Sequence, residues 1–349
     1  MKLLITTQAI DSNDDHFVFF LDWVRAFALR YEKVTILALR SGDYTLPQNV
    51  EVLSLGKNEG KGRITYLLRF FKCIFFRSGD YDDVFVHMNP EYLVLGGWWW
   101  RLCGKKVGLW YTHKQVNVKL RVALFFANTV FTAVPESFRI PSKKVIVVGH
   151  GINTELFAPQ KVSKNVVEIL TVSRVAPIKH IEDMITILPR VIQSLGKEVR
   201  LGIVSTLPKA GERYFDYYQG LLALAKEKEV ASSVYFLGAV SGSKLPSYYN
   251  HATITLNLTP TGGLDKAVLE SLSCGIPVVA SNQALRGVFG PFADRFLVEL
   301  GNTNELAVRV IAAIKESGAL QKELRDLVAT PYSYKTVVDK ICTLYETGR

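Results

Sequence analysis

Short runs of β-branched and other apolar residues alternate with longer amphipathic stretches along all 349 residues of this chain. In the first half the runs fall at Leu3–Thr7, Val34–Leu39, Val50–Leu55, Val84–Met88, Val107–Thr112, Val130–Val134 and Val145–Gly149. The second half repeats them at Ile169–Arg174, Arg200–Ser205, Val234–Leu237, Ile254–Leu258, Pro277–Ala280 and Phe296–Glu299. A strand that is apolar at every position, with helical sequence on either side, belongs in a parallel sheet covered on both faces. Two such sets in succession predict two doubly wound, Rossmann-like α/β domains, 1–158 and 159–330, joined near Phe157-Ala158-Pro159. The remaining stretch, 331–349, places Tyr334, Val337, Val338, Ile341, Leu344 and Tyr345 on one helical stripe. So apolar a helix has to dock, either on its own domain or back on the first. Ligands of open parallel sheets gather at the carboxyl ends of the strands, and two facing domains would hold them in a cleft.

The composition is that of a globular chain, with 48% hydrophobic and 21% charged residues. No apolar run approaches the roughly 18 residues of a membrane span. The opening MKLLITTQAID has no signal-peptide core and reads as a first buried strand. Four cysteines, Cys73, Cys103, Cys274 and Cys342, stand far apart without metal or redox spacing, as reduced thiols in a cytoplasmic protein would. The net charge is +10, and no Asp or Glu occurs between Glu91 and Glu136, where Arg101, Lys105, Lys106, Lys114, Lys119 and Arg121 lie. Such a stretch favours phosphate or an anionic surface. No nucleic-acid-binding motif accompanies it, so nucleic acid is not expected and anionic lipid is. Between Gly62 and Arg77, Ile64, Leu67, Leu68, Phe71, Ile74 and Phe75 form a helical stripe that Phe70 and Phe76 widen. Lys61, Arg63, Arg69, Lys72 and Arg77 accompany it without an acid, the composition of an interfacial helix. A broad buried helix with snorkelling cations is the competing reading.

Two segments carry chemistry. In the first, a strand ends at Leu258, a loop containing Gly262-Gly263 follows, and a helix begins near Asp265. Free N–H groups at a helix start attract anions, and paired glycines let a ligand approach the main chain. Glu270, about one and a half turns into that helix, is placed to accept hydrogen bonds from vicinal hydroxyls such as those of a ribose. In the second, Arg174 ends a strand and Lys179 lies just before the helix that starts near Ile181. Two cations converging there can clamp a diphosphate and stabilise it as it leaves. Asp80 and Asp82 match an Asp-x-Asp pair by letter only; they precede a strand, and no metal is assigned.

These segments resemble glycosyltransferase family 4, a retaining family with the GT-B fold. The family's strand-Gly/Ser-Arg…Lys segment is similar to Val172-Ser173-Arg174…Lys179-His180, and its Leu-Glu-Ala-Met-Ala-Cys-Gly-x-Pro-Val helix to Leu269-Glu-Ser-Leu-Ser-Cys-Gly-Ile-Pro-Val278. Its interdomain Asn-Gly-Val-Asp signature is similar to His150-Gly-Ile-Asn-Thr-Glu-Leu-Phe-Ala-Pro159, and Tyr249-Asn250-His251-Ala252 and the C-terminal helix also fit. The resemblance implies two Rossmann-like domains facing across a cleft. It also implies that Lys179 and Arg174 hold the donor diphosphate, that Glu270 binds the ribose, and that Gly262, Gly263, Leu264, Asp265 and Lys266 line the donor site. His113, in Leu109-Trp-Tyr-Thr-His-Lys114, falls where the family has a histidine beside the donor sugar.

Two departures stand out. Gly262 occupies the position of the first Glu of the family's Glu-x7-Glu motif, which touches the transferred sugar, and Asp265 and Lys266 are the nearby substitutes. The first loop, Gln8–Phe17, lacks the family's Gly-Gly; there Asp14, Asp15 and His16 face either the acceptor or solvent. The expectation is metal- and cofactor-independent transfer, with retention, from a nucleoside-diphosphate sugar to a glycan or membrane-presented glycolipid acceptor. It would take place in the cytoplasm or at the inner membrane face. An inactive nucleotide-sugar-binding partner subunit and a GT-B-fold sugar-nucleotide epimerase are the alternatives.

Overall fold

The computed structural model describes residues 1–14 and 17–347, which divide into two compact units. The first comprises Met1–Gly151 and the chain from Tyr332 onward. It contains β1 (Lys2–Ile10), α1 (Phe20–Arg30), β2 (Lys33–Ser41), β3 (Val50–Ser54), α2 (Arg63–Phe76), β4 (Asp83–His87) and α3 (Pro90–Leu102). After these come β5 (Lys106–Trp110), α4 (Val118–Phe126), β6 (Thr129–Thr132) and β7 (Val145–Val147). All pairings are parallel and the order is β3-β2-β1-β4-β5-β6-β7. The central strand β1 is buried from Leu3 to Thr7, and β4 is buried throughout, as continuous apolar runs require.

The second unit, Ile152–Pro331, contains β8 (Val167–Val172), α5 (Ile181–Leu195), β9 (Val199–Val204), α6 (Phe215–Glu227), β10 (Val234–Gly238), α7 (Leu245–His251) and β11 (Ile254–Asn257). It continues with α8 (Lys266–Ser273), β12 (Val278–Ala280), α9 (Arg286–Phe289), α10 (Ala293–Phe296), α11 (Thr303–Glu316) and α12 (Gln321–Ala329). Its five parallel strands run β10-β9-β8-β11-β12. In each sheet the winding reverses beside the first strand, between β1 and β4 and between β8 and β11. Those are the places where such sheets take ligands.

The joint between units lies at Gly151–Ile152, seven residues before the one read from the sequence. Arg325 on α12 explains the shift, because its guanidinium donates to the carbonyls of Thr154 at 3.1 Å, Phe157 at 3.1 Å and Ser273 at 2.5 Å. Phe157 is then buried among Leu170, Tyr249 and Cys274. One expected strand is absent: Phe296–Glu299 gives the end of α10 and a single bridge, Ala280 with Leu297. β12 is only three residues long, so the last edge has little ladder to extend.

The final helix, α13 (Tyr334–Thr347), belongs to the first unit. It buries Val337, Val338, Ile341 and Tyr345, and the Tyr345 hydroxyl donates to the Val84 carbonyl at 2.7 Å. Gly108 on β5 leaves room for that ring, since a Cβ there would lie 2.3 Å from the tyrosine oxygen.

Helix α2 divides its stripe between two environments. Phe70, Cys73 and Ile74 enter the core beside Tyr92 and Trp100, whereas Ile64, Leu67, Leu68 and Phe76 are exposed. Two of the five expected cations are neutralised within the unit. Arg69 forms a two-pronged pair with Glu59 at 2.7 and 2.8 Å, and Arg77 pairs with Glu51 at 2.7 Å and Asp80 at 2.9 Å.

Candidate functional site

Ser173 and Arg174 follow β8 directly. The Ser173 amide bonds to the Val204 carbonyl at 3.1 Å and the Val175 amide to Ser205 Oγ at 2.9 Å, which fixes the turn. Arg174 is exposed and has no ion-pair partner among the described residues, so its guanidinium is available to a ligand. Ser173 Oγ is buried without a hydrogen-bond partner among those residues. An orphaned buried hydroxyl costs roughly 1–3 kcal/mol.

The next turn, Pro177–Lys179, leads into α5 through His180, whose φ of 47° is left-handed. This bend brings Lys179 across to the neighbouring strand end, where Nζ lies 3.1 Å from Asp265 Oδ2. Asp265 occupies the N-cap of α8 but does not cap it. Its carboxylate is turned to Lys179 and to the Thr259 hydroxyl at 3.4 Å, leaving the first amides of the helix to other partners. The loop before α8 is pinned from beneath. Asn282 Nδ2 donates to the Gly263 carbonyl at 2.6 Å, Ser281 Oγ to the Thr259 carbonyl at 3.0 Å, and the Gln283 amide to Thr261 Oγ1 at 3.1 Å. Gly262 and Leu264 are buried in this loop and Gly263 is half-buried.

Glu270 is half-buried and accepts a hydrogen bond from the Tyr249 hydroxyl at 3.1 Å. Burial raises its pKa above the usual carboxylate value, opposed by the Lys266 charge and then by that hydrogen bond. Burial lowers Lys266 in turn, opposed by Glu270. The two form a mutually supported pair one helical turn apart. The structure thus brings together Lys179, Asp265, Lys266 and Glu270 at the β8/β11 switch point, with Arg174 at the same strand end. Tyr249 and Thr259, which orient two of these groups, carry no local motif. Their roles arise from contacts across 21 and 6 residues, invisible to spacing rules.

The first unit gives a different picture. His113 lies beyond β5, exposed, with its ring edge-on to Tyr111 at 5.7 Å, and partial desolvation lowers its pKa. Asp14 is an internal structural group. It pairs with Arg40 through a side chain that is only 7% exposed, and its Oδ1 accepts from the Phe17 amide at 3.0 Å. Its carboxylate is thus engaged in holding the loop. Asp15 and His16 lie outside the described residues. Among those residues no cluster of three or more His, Cys, Asp or Glu is disposed to hold a metal, and no helix is long and apolar enough to cross a membrane.

Residues 166–316, most of the second unit, match the family described as Glycosyl transferases group 1. Solved structures match over nearly the whole chain. Sucrose-phosphate synthase from Thermosynechococcus elongatus is 16% identical with a TM-score of 0.73, covering 99% of this chain and 98% of its own. Anabaena HepE in complex with UDP and glucose is 17% identical at a TM-score of 0.76, covering 99% and 100%. A glycosyltransferase from Rickettsia africae is 15% identical at 0.73, covering 99% and 98%. The fold is GT-B. The resemblance read from the sequence holds at this level, that of a GT-B glycosyltransferase fold with a group 1 segment, without singling out family 4. No curated protein matches the chain in sequence.

Proposed function

We propose that the chain transfers a glycosyl group from a nucleoside-diphosphate sugar to an acceptor hydroxyl, with retention and without a metal. One observation carries this reading. Arg174, Lys179 and the open start of α8 converge with Glu270 at the switch point of the second sheet. Cations and helix amides match a diphosphate, and a carboxylate placed further along the helix matches ribose hydroxyls. In the reaction the bond between the anomeric carbon and the diphosphate oxygen breaks, and the acceptor oxygen bonds to that carbon. The acceptor's proton passes to the departing diphosphate. Arg174 and Lys179 stabilise the charge that builds on the leaving group, and Gly262–Lys266 line the donor. His113 is assigned to the sugar half of the donor. The Anabaena protein's complex with UDP and glucose makes uridine diphosphate the first probe. The acceptor is read as a glycan or glycolipid precursor presented at a membrane.

The test is calorimetric titration with UDP, GDP and ADP, followed by product analysis with the matching sugar nucleotide. Binding of one diphosphate with glycosylated product is expected, and the anomeric configuration by NMR reports retention. Absence of binding to every nucleoside diphosphate would overturn the reading. Binding without transfer or donor hydrolysis would favour the partner-subunit role that Gly262 raises.

A further inference from the structure

We infer that α2, α3 and α4 together form a docking face for an anionic membrane surface. This gives the membrane-presented acceptor its location and rests on that reading for its purpose; docking itself is measured without donor or acceptor. Ile64, Leu68 and Phe76 on α2, Leu102 on α3, and Val118 and Phe125 on α4 are each 66% to 83% exposed. They are not scattered. On α2, Ile64 and Leu68 continue through Phe71 and Phe75 at helical spacing, and Phe71 stacks on Phe75 at 5.4 Å. Phe75 meets Trp98 of α3 edge-on at 6.0 Å, and Leu102 lies one turn beyond Trp98. The α3–α4 seam is closed by Phe126, which lies where a side chain on Gly97 would be, 2.6 Å from a Cβ there. Val118, Val122 and Phe125 then carry the apolar stripe along the outer side of α4. A single exposed leucine needs no explanation, whereas three adjoining stripes do.

The charges select the occupant. Neither α2 nor α4 contains an acid, and the acids nearby are already paired: Glu59 with Arg69, Asp80 with Arg77, and Glu91 with Lys119 at 2.9 Å. Arg63, Lys72, Arg101 and Arg121 are exposed and have no ion-pair partner among the described residues. Apolar side chains flanked by unneutralised cations fit acyl chains below lipid phosphates. A second copy pairing through the same face by a two-fold axis would set these cations against each other. The surface therefore matches a negative bilayer better than itself.

Vesicle flotation tests this, comparing phosphatidylcholine alone with phosphatidylcholine containing about 30% phosphatidylglycerol. Binding is expected only to the anionic vesicles and should decline as salt rises. The variant Leu68→Ser/Phe76→Ser/Phe125→Ser and the variant Arg63→Glu/Lys72→Glu/Arg121→Glu should each lose at least about tenfold in partitioning. Thermal midpoints and nucleoside-diphosphate affinity should stay unchanged in both, because every altered side chain is exposed and outside the donor site. Arg69→Gln, which removes a cation already paired with Glu59, should retain most of the binding. Equal binding to neutral vesicles, no binding to either, or undiminished binding by either triple variant would overturn the proposal. A concentration-dependent dimer abolished by the serine variant would overturn it in favour of a second copy. Wild-type docking without nucleotide binding would leave this face standing and remove the donor reading instead.

Discussion

In the proposed ribose contact Glu270 accepts most strongly as the carboxylate, yet its burial favours the protonated form. Nucleotide affinity should therefore fall on acidification at a higher pH than an ordinary glutamate would dictate. Tyr249→Phe removes an interaction that holds this pKa down, so it should move the acidic limb of the affinity profile to still higher pH. Glu270→Gln should abolish the limb and weaken binding about tenfold, the loss of roughly one charge-assisted hydrogen bond. Calorimetry from pH 5 to 8 checks both. The same shift fixes a sign for stability. A carboxyl whose folded pKa is raised contributes most below its unfolded value of 4.5, and the contribution is lost as pH rises through the folded value. Asp265 supplies the second residue-level prediction. Its carboxylate engages Lys179 and places negative charge where the diphosphate is proposed to lie. Asp265→Asn should raise nucleoside-diphosphate affinity by about threefold to tenfold, a modest gain because the pair is partly solvated. A loss of affinity would make Asp265 a ligand of the donor instead of a competitor for its lysine. Arg174 was legible from its place at a strand end, and Lys179 and Glu270 from theirs just before and within a helix. The capture of Lys179 by Asp265 was not, because spacing reports which side chains approach a site but not which of them pair with each other.

At the scale of elements, periodicity located helices well where one face is apolar. The stretch Gly62–Arg77 became α2, Arg63–Phe76, and the terminal stripe became α13. Burial within α2 was beyond the sequence, since Phe70 and Phe76 are the same residue type, yet one is buried and the other exposed. The apolar run at Phe296–Glu299 shows the converse ambiguity: four residues satisfy a strand or the end of a helix equally, and the short edge strand β12 decided. Entry into α5 carries a prediction of its own. His180 holds a left-handed φ of 47°, strain that glycine would not feel, while its Nδ1 lies 3.4 Å from Asp183. His180→Gly should leave the midpoint of denaturant unfolding essentially unchanged, with relief of strain offsetting the lost contact and the freer unfolded chain. His180→Val, β-branched and forced into the same φ, should destabilise the protein by about 1–2 kcal/mol. Equal destabilisation by both would assign the cost to the lost imidazole contact and not to the backbone.

The whole molecule is not cut by one boundary. The chain builds the first sheet, crosses at Gly151 to complete the second unit, and returns at Tyr332 to finish the first. A division at one point, as the strand sets alone predict, leaves the returning helix unassigned, because an apolar stripe states that a helix must dock but not where. Its destination is set by tertiary contacts: Val337, Val338, Ile341 and Tyr345 are buried in the first unit, and Tyr345 bonds to Val84, more than 250 residues away. Burying four such side chains contributes about 1.5–3 kcal/mol each. That sum is comparable to the entire 5–15 kcal/mol by which domains usually stay folded. The two units should consequently respond differently to isolation. Residues 152–331, complete in themselves, should unfold cooperatively and keep the nucleoside-diphosphate affinity of the intact chain. Residues 1–151 should melt well below the intact protein or aggregate, and a peptide of residues 332–349 supplied in trans should raise their melting midpoint in a saturable manner, as any ligand specific to the folded state does. Thermal melts across a peptide titration measure this. A fragment 1–151 whose midpoint is already that of the intact chain and ignores the peptide would show that α13 is an attachment to the first unit and not a part of its core.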